Sequence, residues 1–172
     1  GMNRNFSCEQ FANAPKVREK VQEEALQRIK RDRQLHISGF DINKDAIKLA
    51  FKHAERAGVK DNIHFQVQDM RDLSSKYAHG VIITNPPYGE RLLEREEAGE
   101  LYKAFGKAMD KLPDTWRVYV LSSHPDFERC YGRFADKKRK LYNGMLKCDL
   151  FMYGKRLYRR ALRGRGAPAP CG

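Results

Sequence analysis

The chain has 172 residues, and a chain of this length can bury a core as one globular domain. Its 34 Lys and Arg outnumber its 22 Asp and Glu, and the resulting net charge of +12 favours a polyanionic partner such as a nucleic acid. There is no run of about 18 apolar residues and no apolar signal segment, so we expect no membrane span and a cytoplasmic protein. The four cysteines and five histidines lack metal-site spacing, so we expect reduced thiols and no bound metal.

Helical and extended segments alternate along the chain. Apolar residues three or four positions apart predict four helices, at residues 15–29, 44–57, 96–112 and 125–131. We expect the first helix to bury one apolar face, made by Val17, Val21, Ala25 and Ile29. Asn43 is well placed to cap the second helix, and Gly58 is well placed to end it.

Short apolar segments between the helices predict four strands, at residues 35–40, 63–67, 80–84 and 116–122. The third is apolar at almost every position, which is typical of a strand buried on both faces of a parallel sheet. Residues 139–142 and 145–151 predict two more strands. The dipeptide Asn143-Gly144 between them predicts a hairpin in which both turn residues have a positive φ.

This order of elements predicts an α/β fold. We expect a Rossmann-like, doubly wound sheet that is mostly parallel and ends in an antiparallel hairpin. Residues 1–154 form the predicted domain, and residues 155–172 form a basic, low-complexity tail that carries six Lys and Arg and no acid.

A polar residue follows each of the first three strands: Asp41, Asp69 and Asn85. Because ligands of doubly wound sheets bind beyond the carboxyl ends of the strands, we expect these residues to share one rim. Asp41, followed by Ile42, is a candidate acceptor for both ribose hydroxyls of a nucleoside cofactor, or else an acid that complements a helix dipole. Asp69, followed by Met70, is a candidate acceptor for an adenine amino group, or else a turn or cap residue.

The most informative stretch is the tetrapeptide Asn85, Pro86, Pro87, Tyr88. Two prolines make a stiff loop that offers carbonyl acceptors and few donors. The side-chain oxygen of Asn85 and the carbonyl of Pro86 can accept both hydrogens of an amino group, while Tyr88 stacks on an unstacked base. The alternative interpretation is a rigid turn with no catalytic role.

Basic residues near this loop and near the hairpin are candidates for contacts with a nucleic-acid backbone: Arg91, Lys138 and Arg139. The alternative for Arg91 is a solvated salt bridge, and the alternative for residues 137–140 is a solvated face.

Residues 37–153 resemble the methyltransferase domain of bacterial 23S ribosomal RNA N2-guanine methyltransferases that carry a THUMP domain, in the Asn-Pro-Pro-Tyr class shared with N6-adenine DNA methylases. Three stretches carry the resemblance, at residues 39–42, 85–92 and 135–144. It implies S-adenosylmethionine as the cofactor and a guanine amino group of ribosomal RNA as the target. It further implies that Asn85 to Tyr88 bind the target, that Asp41 binds the ribose and that Asp69 lies near the adenine.

The chain departs from this family in two ways. The family places a first strand and a glycine-rich loop upstream of the ribose acid, and nothing before Asp41 has that pattern. The THUMP domain is also absent from the chain. We therefore expect a sheet that lacks its first strand and has a gap at its middle.

Two other functions remain open from the sequence. The same loop geometry suits N6-methylation of adenine in DNA or RNA, and a chain without a cofactor loop could be an RNA-binding remnant without catalysis.

Overall fold

The computed structural model describes residues 7–30, 34–89 and 92–154. It contains four α-helices: α1 (Ala14–Gln27), α2 (Lys44–Arg56), α3 (Leu92–Asp110) and α4 (Phe127–Tyr131). The strands are β1 (Ile37–Asp41), β2 (Ile63–Val67), β3 (Val81–Thr84), β4 (Arg117–Ser122), β5 (Lys137–Asn143) and β6 (Leu146–Gly154). Within these ranges no helix is long and apolar enough to cross a lipid bilayer.

The strands form two sheets. The first pairs β1 with β2 in parallel, and the second has the order β3-β4-β6-β5. In the second sheet β3 is parallel to β4, whereas β6 is antiparallel to both β4 and β5. The prediction of an α/β fold with a C-terminal antiparallel hairpin is confirmed. The described part is mixed rather than mostly parallel, since two of its four strand pairings are antiparallel.

The hydrophobic core lies between the four-stranded sheet and the helices α3 and α4. Its largest fully buried apolar side chains are Tyr102, Phe105, Met109, Val120 and Phe127. Burying each of them stabilises the fold by roughly 1.5–3 kcal/mol relative to exposure. The core therefore fixes α3 and α4 against β4 and β6.

Helix α2 begins where the sequence predicts and ends one residue earlier, at Arg56. The side-chain oxygen of Asn43 accepts hydrogen bonds from the backbone N–H groups of Asp45 and Ala46, at 2.8 and 3.3 Å. The helix ends at Arg56, and Gly58 turns the chain with a φ of +69° that few other residues adopt readily. These local signals suffice because capping depends only on residues close in sequence.

Two burial predictions are wrong. The apolar face predicted for α1 is not covered, and Val17 and Val21 are both more than half exposed. Strand β3 is not buried on both faces, since Val81 and Ile83 are 58% and 79% exposed while Ile82 packs against the core. In each case the apolar pattern identified the element correctly, but the described residues supply no layer that covers the apolar face of α1 or the second face of β3.

The hairpin turn lies one residue later than predicted. Asn143 still pairs with Leu146, so the two-residue loop is Gly144-Met145. Only Gly144 has a positive φ, at +62°, which suits a turn with glycine at its first central position. Asn143 is therefore the last residue of β5, and its side chain lies on one face of the hairpin.

The cysteines differ in state. Cys148 is a buried free thiol, as expected, whereas Cys130 is disulfide-bonded. The prediction of a reduced thiol is therefore wrong for Cys130.

Candidate active site

A cavity of about 700 Å³ lies between the two sheets. Its walls include β1 from Ile37 to Phe40 and the whole of β3, from Val81 to Thr84. No strand pairs with the facing edges of β1 and β3 in the described part of the chain. Among the described residues, an open slot therefore separates the edge of β1 from the edge of β3.

Asp41 lies at the carboxyl end of β1 and is exposed. Its Oδ1 accepts a hydrogen bond of 2.8 Å from the backbone N–H of Asn43, the residue that caps α2. The next residue, Ile42, is 68% exposed, and neither Asp41 nor Ile42 lines the cavity. The Asp41 carboxylate thus organises the turn into α2 and remains accessible to a ligand beyond the strand end.

Asp69 and Met70 both line the cavity, near the carboxyl end of β2. Asp69 caps the short 3-10 turn Met70–Asp72 by accepting from the backbone N–H of Arg71 at 2.8 Å. The Arg71 guanidinium Nε also donates to both carboxylate oxygens, at 2.9 Å each. These hydrogen bonds from Arg71 hold the pKa of Asp69 below its ordinary value, so Asp69 is an ionised acceptor already engaged by a neighbour.

The loop after β3 presents the residues predicted to bind the target. Asn85 and Pro87 are exposed, Tyr88 is half-buried and Pro86 is buried. The Tyr88 hydroxyl donates to Oδ1 of Asn85 at 2.5 Å. Because an amide oxygen has two lone pairs, Asn85 can accept a second hydrogen bond, and of the two predicted acceptors it alone belongs to an exposed residue.

Contacts that the sequence did not reveal hold this loop from two sides. From α3, the hydroxyl of Tyr102 donates to the carbonyl of Pro87. From the hairpin, Sγ of Cys148 lies 3.8 Å from the Tyr88 hydroxyl, with which the Asn143 side chain also interacts. The sequence signal for such a contact is a tyrosine on the buried face of a helix, because a buried hydroxyl needs a hydrogen-bond partner.

Burial raises the pKa of both tyrosines. The pKa of Tyr88 lies above its ordinary value mainly because the ring is removed from water, and the same cause acts on Tyr102. Both hydroxyls therefore stay protonated near neutral pH and remain donors to the loop.

The two basic candidates on β5 point to opposite faces of the hairpin. Nζ of Lys138 lies 2.7 Å from Oε2 of Glu128 and 5.7 Å from the centre of the Phe151 ring, on the face that packs on α4. Side chains alternate along a strand, so Arg139 shares the other face with Asn143. That second face is the one that contacts Tyr88. The third candidate, Arg91, lies outside the described residues.

The layered α/β fold and the polar loop at a strand end define an enzyme domain of the methyltransferase type. The family model described as "RMKL-like, methyltransferase domain" matches residues 1–151. The chain belongs to this family.

Relatives and solved structures agree with the assignment. The chain is 40% identical over 154 residues to "Putative RNA methyltransferase YpsC" of Bacillus subtilis, covering 89% of this chain and 40% of that protein. It is 34% identical over 119 residues to "Ribosomal RNA large subunit methyltransferase K/L" of Allochromatium vinosum, covering 68% of this chain and 16% of that protein. The chain thus spans well under half the length of these curated relatives.

Two solved structures are similar over 89% of the chain. One is SMU.472, a putative methyltransferase complexed with SAH, at 39% identity and a TM-score of 0.80, with 41% of that chain covered. The other is "a predicted N6-adenine-specific DNA methylase" from Listeria monocytogenes, at 40% identity and a TM-score of 0.77, with 39% of that chain covered.

Proposed function

We propose that the chain is the catalytic part of an S-adenosylmethionine-dependent RNA methyltransferase that modifies the N2 amino group of a guanine in 23S ribosomal RNA. The observation that carries the proposal is the exposed amide of Asn85, set in a two-proline loop at the end of β3 with Tyr88 beside it. Family membership and the names of the relatives support the reaction class and ribosomal RNA as the target.

The proposal includes the architecture around the site. We infer a Rossmann-like doubly wound sheet whose first strand, not found among the described residues, fits the slot between β1 and β3. Residues 1–154 form the methyltransferase domain and residues 155–172 a basic tail outside the described ranges. A THUMP domain is expected in the full-length relatives.

Asn85 orients the amino group of the base. Its Oδ1 accepts one amino hydrogen, and the carbonyl of Pro86 is the proposed acceptor for the other, so that the nitrogen lone pair points toward the methyl donor. Tyr88 at present donates to the same Oδ1, and it either shares the oxygen with the incoming amino group or gives it up. Correct placement alone can contribute several kcal/mol, up to roughly 10, to lowering the barrier.

Tyr88 is the proposed stacking platform for the target base. Its hydroxyl is held by Asn85 and lies against Cys148, which fixes the ring in one orientation. A base must leave its helix or come from a loop to reach such a ring.

The proposed cofactor-binding residues are Asp41, Ile42, Asp69, Met70 and Asn85. S-adenosylmethionine supplies the methyl group on a positively charged sulfur. Asp41, exposed beyond β1 and followed by Ile42, would accept from the ribose hydroxyls. Asp69 and Met70, which line the cavity, would bind and pack the adenine. Because Arg71 already engages Asp69, the adenine amino group would share that carboxylate with it.

Contacts with the RNA backbone are assigned by the faces of the hairpin. Arg139 lies on the face that holds Tyr88 and is the stronger candidate for a phosphate, while Lys138 is paired with Glu128 on the other face. Arg91 follows the loop in sequence and remains a candidate.

The second candidate reaction is N6-methylation of adenine. The name printed for the Listeria structure favours it, and the same pair of acceptors suits an adenine amino group. The relatives named as ribosomal RNA methyltransferases favour guanine.

Mass spectrometry of methylated nucleosides decides between the two. The full-length protein is incubated with S-adenosylmethionine and transcribed 23S RNA in one reaction, and with S-adenosylmethionine and double-stranded DNA in another. We expect N2-methylguanosine in the RNA and no methylated base in the DNA. N6-methylated adenine without N2-methylguanosine would replace the guanine assignment, and no product together with no saturable binding of S-adenosylmethionine would contradict the enzyme itself.

A further inference from the structure

Tyr102 connects the core of the domain to the loop that carries Asn85. The residue is fully buried in α3, and its ring packs edge-on against His124 and Phe127, with ring centres 5.4 and 4.8 Å apart. Its hydroxyl donates a hydrogen bond to the carbonyl of Pro87. A buried side chain thus meets the loop two residues beyond the proposed acceptor.

The Tyr102 hydroxyl has a second, longer contact with Ser122. Oγ of Ser122 lies 3.4 Å from the Tyr102 hydroxyl and accepts from the backbone N–H of His124 at 3.1 Å. The Ser122 hydroxyl hydrogen is therefore available to donate to the Tyr102 oxygen, whose own hydrogen then points to Pro87. Ser122 ends β4, so the chain of hydrogen bonds begins on the sheet itself.

The two prolines make the loop stiff but do not anchor it, because a proline has no backbone N–H to donate. Orientation must come from donors that the rest of the domain aims at the loop carbonyls. Tyr102 supplies such a donor from the helix layer.

We propose that Tyr102 is a positioning residue for methyl transfer: through Pro87 it holds the Asn85 amide at the distance and angle that the target amino group requires. The inference rests on the proposed function of the loop. Tyr102 itself touches neither the base nor the methyl group.

A matched pair of substitutions tests this role in the full-length protein. Tyr102→Phe removes the hydroxyl that donates to Pro87. Tyr131→Phe removes a hydroxyl that is equally buried but has no hydrogen-bond partner among the described residues. Both changes take one buried hydroxyl oxygen from the same core and leave the aromatic ring in place.

We expect Tyr102→Phe to lower kcat on transcribed 23S RNA by about 10- to 100-fold, the cost of a small misplacement near a reacting group. KM for RNA and the Kd of S-adenosylmethionine should stay near the wild-type values. Hydrogen exchange of the peptide that contains Tyr88 and Gly89 should also become faster. Tyr131→Phe should match the wild-type protein in kcat and in exchange.

Equal kcat and equal exchange in the two variants would overturn the positioning role. The exchange measurement needs no turnover, so it decides the role of Tyr102 even with an RNA that is not methylated. A wild-type protein that methylates no RNA would count against the proposed function instead.

Discussion

Neighbouring basic residues on β5 have different surroundings although they are alike in sequence. Lys138 is neutralised by Glu128 and lies over Phe151, whereas Arg139 projects from the face that holds Tyr88. The run of basic residues therefore divides into two sets, and only one of them lies on the face of the hairpin that contacts Tyr88, the proposed platform for the base.

This division predicts unequal effects of removing one positive charge. Arg139→Ala should weaken RNA binding and reduce the slope of log affinity against log salt by about 1, as for one lost phosphate contact. Lys140→Ala removes the same charge from the adjacent position on the opposite face and should leave the slope unchanged. Fluorescence titration with RNA at several salt concentrations measures both, and equal losses would show that the charges act only through the overall field.

Two of the predicted site residues, Asn85 and Asp69, also make structural contacts within the domain. Asn85 accepts from Tyr88 in the structure and is proposed to accept from the substrate. Asp69 likewise caps a turn, binds Arg71 and lines the cavity. The structural and functional interpretations considered for Asp69 are therefore compatible.

At the scale of elements, the contact between α3 and α4 depends on a close approach of backbones. Gly106 of α3 faces the carbonyl oxygen of Tyr131, the last residue of α4, and a Cβ at this position would overlap it. A glycine elsewhere in the same helix, Gly99, would place its Cβ 3.3 Å from Sγ of Cys130. The clash at Gly106 is with a backbone atom, which cannot rotate away as a side chain can.

Gly106→Ala should therefore destabilise the domain. Alanine is favoured over glycine within a helix by about 1 kcal/mol, but overpacking against a fixed carbonyl costs typically 1–3 kcal/mol and must shift α4. Gly99→Ala, with the same gain in helix propensity and a milder contact, should change the free energy of unfolding less. Urea unfolding of both variants tests this, and a Gly106→Ala protein more stable than Gly99→Ala would contradict the packing described.

At the scale of the whole molecule, the sequence predicted what is decided locally. Helix α2, its cap at Asn43 and the β5–β6 hairpin follow from residues close together in the chain. The hairpin turn was misplaced by one residue because Gly144 meets the demand for a positive φ without Asn143.

Long-range packing accounts for what the sequence did not predict. The exposure of Val17 and Ile83 depends on which layers cover α1 and β3, and apolar periodicity carries no information about that. The contact of Tyr102 with Pro87 joins residues 15 positions apart, and that of Cys148 with Tyr88 joins residues 60 positions apart. No local sequence pattern predicts contacts over such separations.

The proposed site residues do not all lie in the slot between the two sheets. Asp69 and Met70 line the slot, while Asp41 and Asn85 lie outside its lining at the ends of β1 and β3. The proposed cofactor residues are thus distributed along an open rim, whereas the loop at residues 85–88 is anchored from α3 and from the hairpin. The part of the site proposed to bind the base is thus held by more contacts than the part proposed to bind the cofactor.

The most direct test of the central claim is the rate of methyl transfer in Asn85→Ala, measured in single turnover with the full-length protein and transcribed 23S RNA. Asn13→Ala, which changes another exposed asparagine with no capping hydrogen bond, is the matched control. We predict a loss on the order of 100-fold or more for Asn85→Ala, with an unchanged unfolding midpoint and normal binding of S-adenosylmethionine. A rate equal to that of the control would contradict the assignment of Asn85 as the acceptor of the amino group.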